Sequence, residues 1–196
     1  MVEIKDAITD PAELDRMYPQ PAAPSVRKVT RKLTEAYRRM IEASPFVAVA
    51  TCGADGLDCS PRGDSAGFVR VADEQTLLLP ERRGNNRIDS VRNLVTDPRI
   101  ALLFLVPGVQ ETLRVNGHAV ISGNPELCDS FAVNGNAPRV IIVVRIERVY
   151  FQCGRAILRS QLWNSSLFRS AADLPTAGTM LVAARKNPIT PSLPRK

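Results

Sequence analysis

Three arginines and two asparagines crowd into six residues, Arg82 to Arg87 (RRGNNR), at the junction of an apolar run and an apolar period of helical spacing. Residues of these types suit one kind of chemistry, the holding of an anionic ligand. Leu77, Leu78 and Leu79 predict a strand that Pro80 stops, and Gly84 has no side chain to keep backbone amides away from a ligand. Ile88, Val91, Leu94 and Val95 then recur as on a helix until Asp97-Pro98 ends the run. The first amides of such a helix have no partner inside it and carry the positive end of its dipole. A phosphate placed there would be held by backbone and arginines together. Asn85 and Asn86 are expected to cap the helix and could also donate to phosphate oxygens. The same residues would serve equally as a solvated turn ahead of an ordinary capped helix, and the short motif alone leaves both open.

Other chemistries find little support. The four cysteines, Cys52, Cys59, Cys128 and Cys153, are never spaced as a Cys-x-x-Cys pair, and the single histidine, His118, has no nearby partner for zinc or for a catalytic triad. No metal site is expected. Cys52 and Cys59 flank an expected hairpin turn and are read as buried thiols, not a disulfide. The formal charge is +6, but the arginines are spread along the chain without interleaved aromatics, so a small phosphorylated ligand is expected and nucleic acid is not. With 196 residues, 44% hydrophobic and 23% charged, the chain can bury a core without disulfides or structural metals. No apolar run approaches the roughly 20 residues that cross a bilayer, and nothing marks the start for secretion, so no membrane partner and a cytoplasmic location are expected.

The elements that must position these residues are mostly strands. Residues 1–28, rich in proline and charge, read as an arm on the body of the protein. From Val29, the apolar positions Leu33, Tyr37, Met40 and Ile41 predict an amphipathic helix that Ser44-Pro45 closes. Strands are expected over Phe46–Thr51, Leu57–Ser60 across an Asp55-Gly56 turn, Gly67–Val71 and Thr76–Leu79. Further strands are expected over Arg99–Val106, Glu111–Ser122 and Arg139–Phe151. Asn124 and Pro125 start a short helix between the last two. About seven strands joined by tight turns, without a strand-helix rhythm, argue for a mainly β fold with inserted helices, a closed antiparallel barrel and not a doubly wound sheet. Gly154–Ser166 (GRAILRSQLWNSS) is expected to be a helix, completing a domain over 29–172. Residues 173–196 are expected to be an extended or disordered tail because proline recurs there.

Taken together, SPRGD (Ser60–Asp64), GFV (Gly67–Val69), RRGNNR (Arg82–Arg87), LRVNG (Leu113–Gly117) and the final pattern of Cys153, Ala156, Arg159, Ser160, Leu162 and Trp163 resemble the flavin-binding split-barrel superfamily. That superfamily includes pyridoxamine 5'-phosphate oxidase, and the likeness covers roughly Phe46–Phe151. The resemblance implies an antiparallel split β-barrel with peripheral helices, a homodimer, and FMN in grooves between subunits. Arg62, Asp64, Pro80, Arg82, Arg83, Asn85, Asn86, Arg87, Thr112 and Arg114 fall at positions that it assigns to the cofactor, with Pro80 and the adjacent Glu81 expected to contact the ring mainly through their backbone. Arg114 follows Thr112 by two and shares its face of the strand.

The arginine-and-histidine segment by which the oxidase grips pyridoxal phosphate has no counterpart here, so oxidation of vitamin B6 is not expected. Some members of the superfamily bind a deazaflavin coenzyme or haem instead, and His118 is read as an ordinary barrel histidine. The expected function is that of an FMN-dependent oxidoreductase acting on a small molecule. Arg114, Arg159, Ser160 and Trp163 are candidates for ring or substrate contacts. The rival expectation is a flavin carrier or redox sensor without turnover. Val140, Ile142 and Val144 are the expected contact residues of the dimer.

Overall fold

The structure, a computed structural model, describes residues 5–186. Its strands are β1 (Phe46–Gly53), β2 (Gly56–Gly63), β3 (Arg70–Asp73), β4 (Thr76–Pro80), β5 (Arg99–Leu105), β6 (Thr112–Ser122) and β7 (Ile141–Gln152). All pair antiparallel in one sheet of order β2-β1-β5-β6-β7-β4-β3. The expected mainly β architecture is present. The closure is not, since no ladder joins β2 to β3, so the barrel is split.

Alternate residues of each strand fill the interior: Val47 and Val49 from β1, Leu102 and Phe104 from β5, Leu113 and Val115 from β6, and Ile142, Val144 and Val149 from β7, all at most 1% exposed. Ile142 and Val144 are therefore core residues and not the dimer contacts expected of them. The β6–β7 register shifts at Asn116/Gly117, where a Cβ on Gly117 would stand 2.0 Å from the carbonyl oxygen of Arg145. Only glycine lets the two backbones come that close. Cys128 and Phe131, in and just after a short helix, α5 (Pro125–Asp129), pack with Ile141 on the outer side of β4 and β7. Asn124 caps this helix as expected, its side chain accepting from the Leu127 amide. Cys52 and Cys59 do not oppose each other, because Cys52 pairs with Leu57 and Cys59 with Ala50. Both are free thiols, half-buried and exposed respectively, against the expectation that both are buried.

Several helices differ from expectation for local reasons. α1 (Pro11–Met17) and α2 (Ala23–Arg27) form within the N-terminal arm, and neither buries a residue. The helix expected from Val29 begins only at Glu35, as α3 (Glu35–Ala43), with Thr34 capping the Tyr37 amide. Thr30 instead exchanges backbone hydrogen bonds with Val149 at 3.0 and 2.8 Å, which holds the preceding segment extended. α4 (Asp89–Thr96) follows the arginine turn.

The chain divides into two compact units, residues 1–156 and 157–196. α6 (Arg155–Ser160) crosses that boundary and stops at Gln161, whose φ of 49° no helix accommodates, so the helix expected through Ser166 is only its first part. In the expected tail, Pro175 precedes a helix instead of forbidding one. Thr176 caps α7 (Ala177–Ala184), and the later prolines lie outside the described residues. Among the described residues no helix is long and apolar enough to cross a membrane, and no cluster of His, Cys, Asp and Glu could hold a metal ion.

Candidate functional site

β2 is one margin of the split sheet, and β4 lies beside the other. Along β2, Asp58, Ser60 and Arg62 pair with Thr51, Val49 and Val47, all buried, so the three polar side chains face inward. Arg62 Nε donates to Glu81 Oε2 at 3.0 Å, and its Nη1 donates to the Pro61 carbonyl at 3.0 Å. One residue past β2, Asp64 Oδ2 accepts from Arg82 Nε at 2.7 Å, while Arg82 Nη1 donates to the Phe131 carbonyl at 2.7 Å. Two ion pairs of opposite sense therefore tie the end of β2 to the segment after β4. Their side chains are 16% and 17% exposed in the first pair and 26% and 23% in the second, so water screens them only in part.

Pro80 is buried, and its successor Glu81 extends the β4–β7 pairing by donating its amide to the Val140 carbonyl at 3.1 Å. Beyond it the chain emerges: Arg83, Gly84, Asn85, Asn86 and Arg87 are all exposed. Asn85 does not cap the helix. Its Oδ1 accepts from the Arg87 amide at 3.1 Å and closes a turn. Asn86 and Ile88 have φ of 61° and 51°, a conformation that asparagine tolerates and a β-branched isoleucine resists. Ile88 occupies the cap position of α4 and offers no side-chain acceptor, so the expected asparagine caps are absent. Arg87 pairs with Asp89 in the first turn at 2.8 Å. A Cβ on Gly84 would meet nothing within 4 Å, which leaves open space over the turn.

α4 is seated on β1 and β2 by polar contacts. Ser90 Oγ donates to Asp58 Oδ2 at 2.9 Å, Ser60 Oγ donates to the same oxygen at 3.2 Å, and Asn93 Nδ2 donates to Thr51 Oγ1 at 3.1 Å. Asp58 and Ser90 were not among the expected site residues, and Glu81 was expected to contribute its backbone, not a carboxylate paired with Arg62. The alternation of Asp58, Ser60 and Arg62 along a strand was a readable sign of a shared face. Glu81 and Ser90 gave none, because their partners lie 19 and 32 residues away.

Thr112 and Arg114 are not part of this cluster. Leu113 and Val115 fill the core, so their neighbours in sequence face outward, the opposite side from Arg62 and three strands away in the sheet. Arg114 lies over the Tyr150 ring, 5.8 Å from its centroid. His118 also faces outward, its Nδ1 2.9 Å from Glu147 Oε1. In the second unit, Arg159 and Ser160 end α6, with Ser160 Oγ donating to the Ile157 carbonyl at 3.1 Å, and the half-buried Trp163 follows in a turn.

Residues 33–153, more than half of the chain, match the sequence pattern of pyridoxamine 5'-phosphate oxidase, from the approach to α3 through the end of β7. The chain belongs to the pyridoxamine 5'-phosphate oxidase family. The match contains the whole sheet and every residue of the ion-paired cluster. Among solved structures, HupZ of Group A Streptococcus superposes with a TM-score of 0.52 at 19% identity, covering 62% of this chain and 94% of that one. A single-residue variant of HupZ gives 0.50 at 22%, covering 61% and 98%. An F420 reductase gives 0.44 at 22%, covering 60% and 98%. At such identities the likeness is one of fold. No curated protein sequence matches the chain.

Proposed function

We propose that the chain binds FMN and works as an FMN-dependent oxidoreductase on a small molecule in the cytoplasm, as a homodimer whose flavin grooves lie between two copies. The supporting observation is the exposed turn Arg83–Arg87. It leads into α4, whose first amides no side chain caps, and two further guanidiniums are held close by at the split of the barrel.

The residues present fit a phosphate. The amide end of α4 carries the positive end of its dipole, the space over Gly84 is open, and Arg83 has no carboxylate partner among the described residues. Arg62 and Arg82 are each held by one carboxylate and one carbonyl, which sets the orientation of their remaining N–H groups before a ligand arrives. Asn85 and Asn86 add donors on the same turn, Arg87 adds a charge shared with Asp89, and Pro80 and Glu81 lead into the turn from β4. The flavin, when bound, supplies the hydride and electron transfer. The chain's own residues bind it, orient it and exclude water. Thr112, Arg114, Arg159, Ser160 and Trp163 are the candidates for ring or substrate contacts. Because Thr112 and Arg114 face outward, away from Arg62, one chain does not present both groups to a single ligand, which favours a groove shared by two copies.

The absorption spectrum of the purified protein, followed by anaerobic mixing with NADH and NADPH and reoxidation by oxygen, quinones and nitro compounds, tests this function. A yellow protein that is reduced and turns over with an acceptor is expected. Bound flavin that no donor reduces would replace the enzyme with a carrier, and a haem or deazaflavin spectrum would overturn FMN.

A further inference from the structure

The start of α4 is strained. Ile88, at its cap position, has φ 51° and ψ 31°, the left-handed region that a β-branched residue resists. Its side chain is 40% exposed, so burial does not offset the conformation. A residue strained in this way persists only where its surroundings over-determine it, and such residues gather at binding sites and switches.

The surroundings here are the polar seat under α4. Ser90, in the first turn, is 1% exposed, and its Oγ donates to Asp58 Oδ2 at 2.9 Å. Ser60 Oγ reaches the same oxygen at 3.2 Å. Three residues after Ser90, Asn93 Nδ2 donates at 3.1 Å to Thr51 Oγ1, on a residue 2% exposed. The helix lies so close to β1 there that a Cβ on Gly53 would stand 2.0 Å from Asn93 Oδ1. With the buried Val91 and Leu94, four of the eight residues of α4 are fixed from below. The turn ahead is fixed separately, by Asn85 Oδ1 on the Arg87 amide. Ile88 joins the two and takes up the mismatch between them. The Asp58 carboxylate accepts a serine hydroxyl and not a backbone amide, so the first amides of α4 stay without a side-chain cap.

We infer that Asp58 and Ser90 are positioning residues for the arginine turn: their hydrogen bond holds α4 where Ile88 must be left-handed, and so keeps the first amides of the helix beside Arg83 and Arg87 at one anion site. This rests on the phosphate reading proposed above, but the coupling between Ser90 and Ile88 belongs to the chain without any ligand.

A double-mutant cycle in the full chain, between Ser90→Ala and Ile88→Gly, tests it, with Asp58→Ala as a second way to remove the seat. Glycine enters the left-handed region freely, so a chain with Ile88→Gly no longer needs the seat to hold that conformation. Hydrogen exchange of amides 88–92 is read in the flavin-free proteins, with the amides of β5 and β6 as internal control. Ser90→Ala and Asp58→Ala are each expected to speed exchange at 88–92 by about tenfold, and adding Ile88→Gly to Ser90→Ala is expected to slow it again by about threefold or more. FMN affinity is expected to fall by about tenfold in Ser90→Ala, with riboflavin affinity unchanged, and to recover in the double variant. Exchange that quickens equally in β5 and β6, a double variant that exchanges no more slowly than Ser90→Ala, or FMN and riboflavin affinities that fall together would overturn the positioning role. The two ideas fail separately. A native chain that binds no FMN but shows the expected exchange cycle removes the flavin and keeps the seat, whereas FMN binding indifferent to all the variants removes the positioning and keeps the flavin.

Discussion

Arg62 and Arg82 already have carboxylate partners, so the arginines of the cradle differ in what they can lose. Arg83 has none among the described residues, so on the proposed FMN reading its replacement would remove a charge-assisted contact to phosphate and little else. Arg83→Ala is expected to weaken FMN binding by about 1.5 to 3 kcal/mol, roughly ten- to a hundredfold, with thermal stability unchanged and riboflavin affinity nearly unaffected. Arg82→Ala differs, because it also cuts the tie to Asp64 and the Phe131 carbonyl across the split of the barrel. It is expected to lower unfolding free energy by about 1 kcal/mol in the flavin-free protein, measurable in urea. Equal stability of Arg82→Ala and the native chain would mean that the pair does not hold the split together. The arginine cluster was legible in the sequence because RRGNNR is contiguous. The ion pairs across the split were not, because Arg82 meets Asp64 and Arg62 meets Glu81 across 18 and 19 residues and only once β2 and β4 end side by side.

Strands were read well and helix ends poorly, for identifiable causes. Alternating Val, Ile and Leu place β1, β5, β6 and β7 within a residue or two of their bounds, because burial on one face imposes a period of two. The helix period from Leu33 to Ile41 is real, but it extends backward no further than Glu35, since Thr34 offers a cap and Thr30 a strand-like partner in Val149. α7 was missed because prolines nearby outweighed the capping Thr176. Two tests belong at this scale. Gly117→Ala puts a methyl group against the Arg145 carbonyl and is expected to destabilise by about 3 kcal/mol or more, read by denaturant melting. Before β5, Arg99 holds the Asp97 carboxyl well below its ordinary 3.8, at about 2, first through the hydrogen bond between their side chains and then through the Arg99 amide. A lowered carboxyl stabilises the fold above the unfolded-state value, and that contribution is lost as pH falls from 3.8 through about 2. Asp97→Asn is expected to flatten the fall in melting temperature over that interval, more visibly at low salt because the Arg99 side of the pair is exposed to water. Parallel native and variant curves would show that Asp97 contributes nothing to acid sensitivity.

At the scale of the whole molecule, the sheet divides its polar residues between two surfaces. The inner face of β2 and the turn after β4 collect Arg62, Asp64, Glu81 and Arg82, while Thr112 and Arg114 lie on the outer face of β6. Both groups belong to the family span, and a flavin touching both is accommodated by two copies more readily than by one. Neither face could be told apart from sequence, where Arg62 and Arg114 look alike as arginines alternating with apolar residues. Only the register, with Val47 opposite Arg62 and Leu113 beside Arg114 in the core, separates them. The most direct test of FMN in a two-copy groove is titration of the flavin-free, full-length protein with FMN and with riboflavin. Flavin fluorescence reports binding, and light scattering reports mass in the same samples. The expected result is one FMN per chain on a dimer, bound at least about tenfold more tightly than riboflavin. A stable monomer saturated with FMN, or FMN and riboflavin bound with equal affinity, would contradict the account.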